Sequence, residues 1–210
     1  MASYCCVLPF AIAEMTAQVL LARRNLIQKR ENGRTIRGVI PAWAGQWGLI
    51  LTEVRKGETP EAAGLRAFQE QTGVDPTDQH VVMNFVLGNK QIVKLETDNY
   101  TTFDVLCLFT TSDALALLAE GIQGLLSSNT PMEDTLNSVA VFPINKARQQ
   151  LGAVLPPPKG WQSYLIQNYY GGTPPSQLNL EIGVLTAALT ASAKQENGFF
   201  VTALSATAPQ

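Results

Sequence analysis

The sequence predicts an α/β protein of the α+β type, in which a mixed β-sheet is flanked by helices and followed by a helical C-terminal extension. Of the 210 residues, 46% are hydrophobic and only 15% are charged, which is enough apolar material for a full core and argues against disorder. Short apolar runs bounded by turn residues also alternate with stretches of helical spacing. Their order predicts the elements β-β-β-α-β-β-β-α-β-α.

Three strands are predicted before the first helix. Residues 3–12 and 17–24 are apolar runs of strand length, and the second run ends in two arginines. Residues 25–47 are polar, basic, and then rich in Gly and Trp, which predicts a long hairpin loop or an irregular connection. Residues 47–54 predict the third strand.

The first helix carries the clearest local signal in the chain. Thr59 is a favourable N-cap, Pro60 suits the first helical position, and Glu61 favours the positive end of the helix dipole. Apolar residues then recur at a spacing of three, and Gly73 is a natural C′ residue. The sequence therefore predicts a helix that begins after Thr59 and ends at Gly73.

The second half of the predicted domain contains more strands than helices. Asn-Lys and Asp-Asn turns separate three predicted strands at hairpin distance. Ser112 or Asp113 then begins a helix that extends to Leu125. The strands in this half are predicted at residues 81–87, 91–96, 102–110 and 136–142, and a final short helix is predicted at residues 144–151.

A proline-rich spacer divides the chain. We expect one domain over residues 1–155, and a spacer with a helical extension that packs on this domain over residues 156–210. Leucines at positions 178, 180, 185 and 189 predict an apolar helix in the extension. Packing on its own domain is favoured for this helix, and a docking or homodimer-forming role is left open.

The charge and cysteine content limit the classes of partner. A net charge of −2 gives no basic field, so we expect neither a nucleic-acid polymer nor a membrane surface as partner. The three cysteines have no metal-ligand spacing, and no apolar run approaches the roughly 20 residues that span a bilayer. We therefore expect a cytoplasmic protein. One local cluster could attract an anion or be a solvated loop, and its basic members are Arg23, Arg24, Lys29, Arg30, Arg34 and Arg37.

The segment from Thr52 to Val74 resembles the Nudix box, the signature of the Nudix (MutT-like) hydrolases. The family pattern is Gly-x5-Glu-x7-Arg-Glu-U-x-Glu-Glu-x-Gly-U, where U is a bulky apolar residue. It aligns without gaps: Glu58, Arg66, Glu70 and Gly73 match, and two apolar residues fill the U positions. With the flanking strands, the resemblance covers roughly residues 3–152 and implies a Nudix-like domain.

Three substitutions make the box degenerate. Thr52 replaces the first glycine, and Ala67 and Gln71 replace two of the three acidic residues in the Arg-Glu-U-x-Glu-Glu core. Nudix hydrolysis of a phosphoanhydride requires Mg²⁺ or Mn²⁺ to neutralise phosphate oxygens and activate water. Mg²⁺ prefers carboxylate oxygens, and only Glu70 remains of the three helix carboxylates that would share one face. We therefore expect a weak metal site, with Glu70 and Glu58 as its residual ligands.

The retained box residues have two interpretations. Arg66 and Glu70 are four residues apart and can pair on the helix, while Glu58 could bond backbone amides or Arg66, so all three can serve the architecture alone. If the protein is active, Glu58 and Glu70 would be catalytic and metal-binding, helped by an acid from elsewhere. The candidates for that acid are Glu53, Glu96, Asp98 and Glu133.

These observations leave three hypotheses about function. The favoured one is a protein that binds a nucleotide or another phosphorylated metabolite with little or no hydrolysis and no cofactor. The first alternative is a divergent Mg²⁺- or Mn²⁺-dependent hydrolase of a nucleoside diphosphate linked to another group, and the second is a protein–protein interaction module. The candidate ligand-binding residues are Arg23, Arg24, Arg37 and Arg66 for phosphate and Trp47 for stacking on a base.

Overall fold

The structure is a computed structural model that describes residues 3–13, 16–39, 44–85, 89–96 and 102–152. The C-terminal extension expected over residues 156–210 lies outside the described residues. The described strands are β1 (Ser3–Ala13), β2 (Thr16–Arg24), β3 (Gln28–Glu31), β4 (Arg34–Val39), β5 (Trp47–Gly48), β6 (Ile50–Glu53), β7 (Asn89–Glu96), β8 (Thr102–Phe109) and β9 (Leu136–Pro143). The described helices are α1 (Pro60–Thr72), α2 (Gln79–Phe85), α3 (Ser112–Ser127) and α4 (Ile144–Gly152).

The main sheet is mixed and is organised around β1. Along one edge β1 pairs in parallel with β8, from Ser3 opposite Thr102 to Phe10 opposite Phe109. Along its other edge it pairs antiparallel with β6 near its start and with β2 near its end. β2 in turn pairs with β5 and β9, and β7 continues the sheet beyond β8. The expected mixed sheet flanked by helices is confirmed.

Alternate residues of the central strands line two separate cores, one on each face of the sheet, as the period of two in a strand requires. The first core contains Cys6, Leu8 and Phe10 of β1, together with buried residues of α4. The second core contains Cys5 and Val7 of β1, together with buried residues of α1 and α3. The box helix α1 therefore lies on the face of the second core, opposite α4.

The segment after β2 is more ordered than the sequence suggests. β3 and β4 form a separate antiparallel hairpin, with Glu31 opposite Arg34. Asn32 and Gly33 make its turn with positive φ angles of 48° and 73°, which is the backbone that an Asn-Gly hairpin turn favours. The hairpin rests on the loop after α3, since the Gly33 amide donates to the Met132 carbonyl at 2.9 Å.

The strand expected at residues 81–87 is wrong over its described part, because α2 occupies residues up to Phe85. Asp78 explains the helix. Its carboxylate accepts from the His80 amide at 2.8 Å, and its carbonyl accepts from the Val82 amide at 2.8 Å. These bonds cap a helical turn, and the apolar run that suggested a strand lies partly on a helix with no fully buried side chain.

The three cysteines are buried, and Cys5 and Cys6 point to opposite faces of β1 because successive side chains alternate along a strand. Burial raises the pKa of the Cys5 thiol to about 12. In the part of the chain that the structure describes, no helix is long and apolar enough to cross a membrane. The cytoplasmic location stays a prediction.

Candidate functional site

Helix α1 is held in place at both ends and along one side. Thr59 accepts the Ala62 amide at 3.2 Å as N-cap, and Gly73 ends the helix in the left-handed conformation at φ 79°. Gly64 allows close approach to the sheet, because a Cβ there would lie 2.9 Å from Leu106 Cδ2. With one side buried against β1 and β8, the helix presents Arg66 and Glu70 at the edge of the loop that precedes it.

Arg66 is the centre of the site. Its guanidinium binds both oxygens of Glu58, with Nε at 2.8 Å from Oε1 and Nη2 at 2.9 Å from Oε2. It also donates to the Glu53 carbonyl at 3.2 Å and to the Thr52 hydroxyl at 3.4 Å. The residue that replaces the first glycine of the box is therefore a further acceptor for Arg66.

Arg66 also binds the second surviving carboxylate of the box. Nη1 donates to Glu70 Oε2 at 3.0 Å, which confirms the pairing expected from their spacing of four. The side chains of Glu58, Arg66 and Glu70 are only 13–17% exposed, so little water screens the three charges. The hydrogen bonds that Arg66 donates lower the pKa of Glu58 to about 2, and its bonds to Glu58 and Glu70 raise the pKa of Arg66 itself.

The two residues that replace helix carboxylates of the box, Ala67 and Gln71, both have structural contacts. Ala67 is completely buried in the second core, among residues of the sheet. The Gln71 amide donates from Nε2 to the Leu51 carbonyl at 3.1 Å, and only 8% of this residue is exposed. Each substitution has a structural role here, since Ala67 fills a close packing contact and Gln71 ties α1 to β6.

Glu133 is the acid from elsewhere that the structure brings to the box. Its amide donates to the Glu70 carbonyl at 3.0 Å, and its side chain is half-buried. Burial raises the pKa of the Glu133 carboxyl first, and the negative charges of Glu70 and Glu31 raise it further. Glu53 touches the site only through its carbonyl; its own side chain is exposed. Asp98 and the side chain of Glu96 lie outside the described residues.

The residues present do not fit a divalent-metal centre. Among the described residues, no group of three or more His, Cys, Asp or Glu side chains could hold a metal ion. Glu58 binds the Arg66 guanidinium with both carboxylate oxygens and Glu70 binds it with one, so a cation would have to compete with that positive charge for them. Burial and the nearby charge of Glu70 raise the pKa of Glu133, so its charged form is disfavoured relative to that of an exposed glutamate.

The structure separates the other candidate residues from the box. Arg24 is buried and donates from Nη2 to the Leu49 carbonyl at 3.0 Å. Arg23 donates from Nε to the Gly45 carbonyl at 3.0 Å and is paired with Trp47 across β2 and β5. Trp47 is half-buried against the first core, in an edge contact with Phe142 at 5.1 Å between ring centroids. Arg23 and Trp47 are thus neighbours, on a different element from Arg66.

The hairpin arginines differ in their availability. Arg37 is exposed on β4, with no hydrogen bond or ion pair to another described residue. Arg30 instead donates to the Asn129 carbonyl and, at 3.0 Å, to the Pro131 carbonyl. It lines a polar cleft of about 180 Å³, next to Glu133 and Asp134. The basic cluster therefore divides into cations that hold the fold and cations that face solvent.

Sequence reasoning missed the residues that fix the hairpin beside the box. Asp134 accepts the Lys29 amide at 2.9 Å and the Arg30 amide at 2.6 Å. The Asn25 side chain donates to the Asp134 carbonyl at 2.6 Å. The Asn32-Gly33 dipeptide was a local signal for the hairpin, but no local signal indicates that Asp134, about 100 residues later, receives it.

Several solved structures resemble this chain at low sequence identity. A mutT/nudix family protein from Listeria innocua is 14% identical over 81% of this chain and 92% of its own, with a TM-score of 0.45. The NUDIX domain of NrtR from Shewanella oneidensis, solved with ADP ribose, is 13% identical over 82% of this chain and 89% of its own, with a TM-score of 0.39. An Ap4A hydrolase binary complex from C. elegans is 8% identical over 81% of this chain and 96% of its own, with a TM-score of 0.38.

No curated protein matches the chain. The family model of the NUDIX domain, in contrast, matches residues 10–155, which is more than half of the chain and includes the whole box segment. Together with the box residues Glu58, Arg66, Glu70 and Gly73, this match shows that the chain belongs to the Nudix family.

Proposed function

We propose that this Nudix protein binds a nucleotide or another phosphorylated metabolite and hydrolyses it little or not at all. The observation that carries the proposal is the double ion pair of Arg66, which engages both carboxylates that the box retains. A phosphoanhydride is cleaved when metal ions neutralise its oxygens and activate water. Carboxylates bound to a guanidinium are poorly placed to recruit those ions, while the loop–helix scaffold that they brace remains intact.

Arg23 and Trp47 form the part of the domain that best suits a nucleotide. They are opposite each other in register, so a cation and an aromatic ring lie side by side. Nε of Arg23 is bound to the Gly45 carbonyl, which orients the guanidinium, and its Nη atoms can still donate to phosphate. Trp47 can stack on a base with the part of its ring that packing against Phe142 leaves accessible. Arg37 is a further candidate phosphate contact on the neighbouring hairpin.

Binding without metal is the direct test. Thermal unfolding of the full chain would be followed with ADP-ribose, nucleoside triphosphates, dinucleoside polyphosphates and sugar nucleotides, each in EDTA and in Mg²⁺. We expect at least one ligand to raise Tm equally in both conditions, because a ligand that binds only the native state stabilises it. Arg23→Gln should remove the shift and Arg55→Gln, on the box loop, should keep it. A Tm that no compound changes would contradict the proposal.

One observation favours a second candidate, a divergent metal-dependent hydrolase. Glu133 lies close enough to Glu70 for the charge of Glu70 to raise its pKa, and two neighbouring carboxylates can be brought together by a divalent cation. This candidate expects Mg²⁺- or Mn²⁺-dependent release of a nucleoside monophosphate from one of the same compounds. Glu70→Gln and Glu133→Gln should each abolish that release. Equal product formation by these variants and the original chain, or none by either, would exclude it.

A further inference from the structure

The sheet has an apolar area that the described helices leave uncovered. On the face of the first core, β1 and β8 place Cys6 opposite Val105 and Leu8 opposite Cys107. All four residues are at most 1% exposed. They form the centre of the area that we call the β1–β8 face. Such complete burial means that other atoms of the chain cover this face.

The described helices pack elsewhere. α4 packs on β2, β5 and β9, which lie on the far side of β1 from β8. α1 and α3 do contact β1, but their buried residues belong to the second core and so cover the opposite face. Among the described helices, only α4 has buried residues on the face of Val105 and Cys107, and it packs mainly on β2, β9 and β5 rather than on β8.

We propose that the C-terminal segment, through an apolar helix around residues 178–189, docks on the β1–β8 face of its own chain. The chain leaves the described domain at the end of α4, and α4 packs on this same face through Ile144, Ala147 and Leu151. Residues 153–210 therefore start on the side of the sheet that needs a cover.

The composition of the segment fits the face. Leu178, Ile182, Leu185 and Leu189 recur at intervals of four, three and four, which makes a stripe on one side of a helix. A helix is about 10 Å wide and adjacent strands are about 4.8 Å apart, so one helix can cover two strands. Ala187 and Ala191 fall on the opposite side of the same helix and provide matched control positions.

The three cysteines allow the docking to be tested in the full chain. Cys6 and Cys107 lie under the proposed helix, whereas Cys5 lies in the second core beneath Gly64. Leu185→Asp with Leu189→Asp should make Cys6 and Cys107 react with a maleimide at least about tenfold faster and leave Cys5 protected, identified by peptide mass spectrometry. Ala187→Asp with Ala191→Asp should change none of the three. Equal protection of Cys6 and Cys107 in the two double variants would overturn the proposal.

Two aspartates in an apolar contact can unfold a chain. A second measurement therefore avoids charged substitutions. A photo-crosslinking residue in place of Leu185 should form adducts with β1 or β8 of the same chain, and the same residue in place of Ala187 should not. Adducts between two chains would show that a second copy covers the face, and adducts with α1 or α3 would place the segment on the other core. Either result would overturn the proposal.

Discussion

The contacts of Arg66 are more specific in their geometry than those of a surface ion pair. Its planar guanidinium is matched in geometry to Glu58, so two parallel hydrogen bonds fix both side chains, and the remaining nitrogen reaches Glu70. A lysine would supply the positive charge but not the two parallel hydrogen bonds. The loop that begins α1 and the first turns of the helix are thereby joined through one side chain.

Arg66→Met should lower the free energy of unfolding by about 1–3 kcal/mol, because it leaves two half-buried carboxylates without their partner. The measurement is urea unfolding at pH 7, and Arg66→Lys should recover only part of the loss. Arg55→Met is the control, since Arg55 is 58% exposed on its side chain and approaches Glu70 only to 3.8 Å. Equal losses in the Arg66→Met and Arg55→Met variants would show that the bidentate geometry contributes nothing.

The pKa of Glu58 predicts a pH dependence of stability. It is about 2 in the folded protein against an ordinary value of 4.5, so the folded state favours the charged form. The resulting stabilisation is complete above the ordinary pKa and is lost as pH falls through the folded value. Urea unfolding of the original chain and of Glu58→Gln should differ by on the order of 1–3 kcal/mol at pH 6 and progressively less towards pH 2.

Glu133→Gln provides a control whose effect on stability is expected to have the opposite sign to that of Glu58→Gln. The pKa of Glu133 is raised in the folded protein, chiefly by burial, so its charged form is disfavoured there. The variant should be more stable than the original chain at pH 7, and this advantage should shrink as pH falls from the raised pKa of Glu133 towards the ordinary pKa of a glutamate, below which it is absent. If both variants showed the same pH dependence, the two carboxyls would not have the different environments described.

Only the local part of the site could be predicted from sequence. The pairing of Arg66 with Glu70 follows from a spacing of four on a helix, and the bond to Glu58 from its place just before that helix. Glu133 could be named only as one of four candidates, because its approach to Glu70 depends on where a loop 60 residues later crosses the end of α1. That contact depends on tertiary packing, which the periodicity of the sequence does not predict.

At the scale of elements, α1 depends on a glycine inside the helix. Gly64→Ala should destabilise the protein by about 1–3 kcal/mol, because the added Cβ would meet Leu106 Cδ2 at 2.9 Å and Cys5 Sγ at 3.0 Å within a packed core. Gly124→Ala on α3 is the matched control. Nothing lies within 4 Å of its added Cβ, so it should stabilise the protein by up to about 1 kcal/mol through helix propensity.

Thermal and urea unfolding of both variants would test this contrast. Two alanines that changed stability in the same direction would mean that α1 does not approach the sheet closely at Gly64.

The elements themselves show where sequence patterns suffice. α1 was predictable because Thr59, Pro60 and Gly73 are capping signals that act locally. α2 was not predictable, since its apolar run is typical of a buried strand while Asp78 caps a helix just before it. The strand expected at residues 47–54 is interrupted at Leu49, whose carbonyl accepts the side chain of Arg24, a contact between elements that are distant in sequence.

At the scale of the whole molecule, Asp134 joins the β3–β4 hairpin to the rest of the domain. Asp134→Ala should remove the acceptor of the Lys29 and Arg30 amides and cost about 1–3 kcal/mol in stability. Hydrogen exchange of those two amides should become faster by a larger factor than exchange in β1 or β8. Glu120→Ala, on the exposed side of α3, should leave both amides unchanged. Slow exchange that persists in Asp134→Ala would show that the hairpin is held by other contacts.

The parallel pairing of β1 with β8 also has a consequence for how the chain folds during its synthesis. Of the described strands, β1 is synthesised first and is central in the sheet, yet its partner along one whole edge is complete only when Phe109 has been added. Until then β1 exposes an unpaired edge and two apolar faces, which are the features that promote wrong pairing between nascent chains. The β8 edge of β1 can therefore pair only after about half of the chain has been synthesised, and early β1 is the segment that a chaperone would be expected to protect.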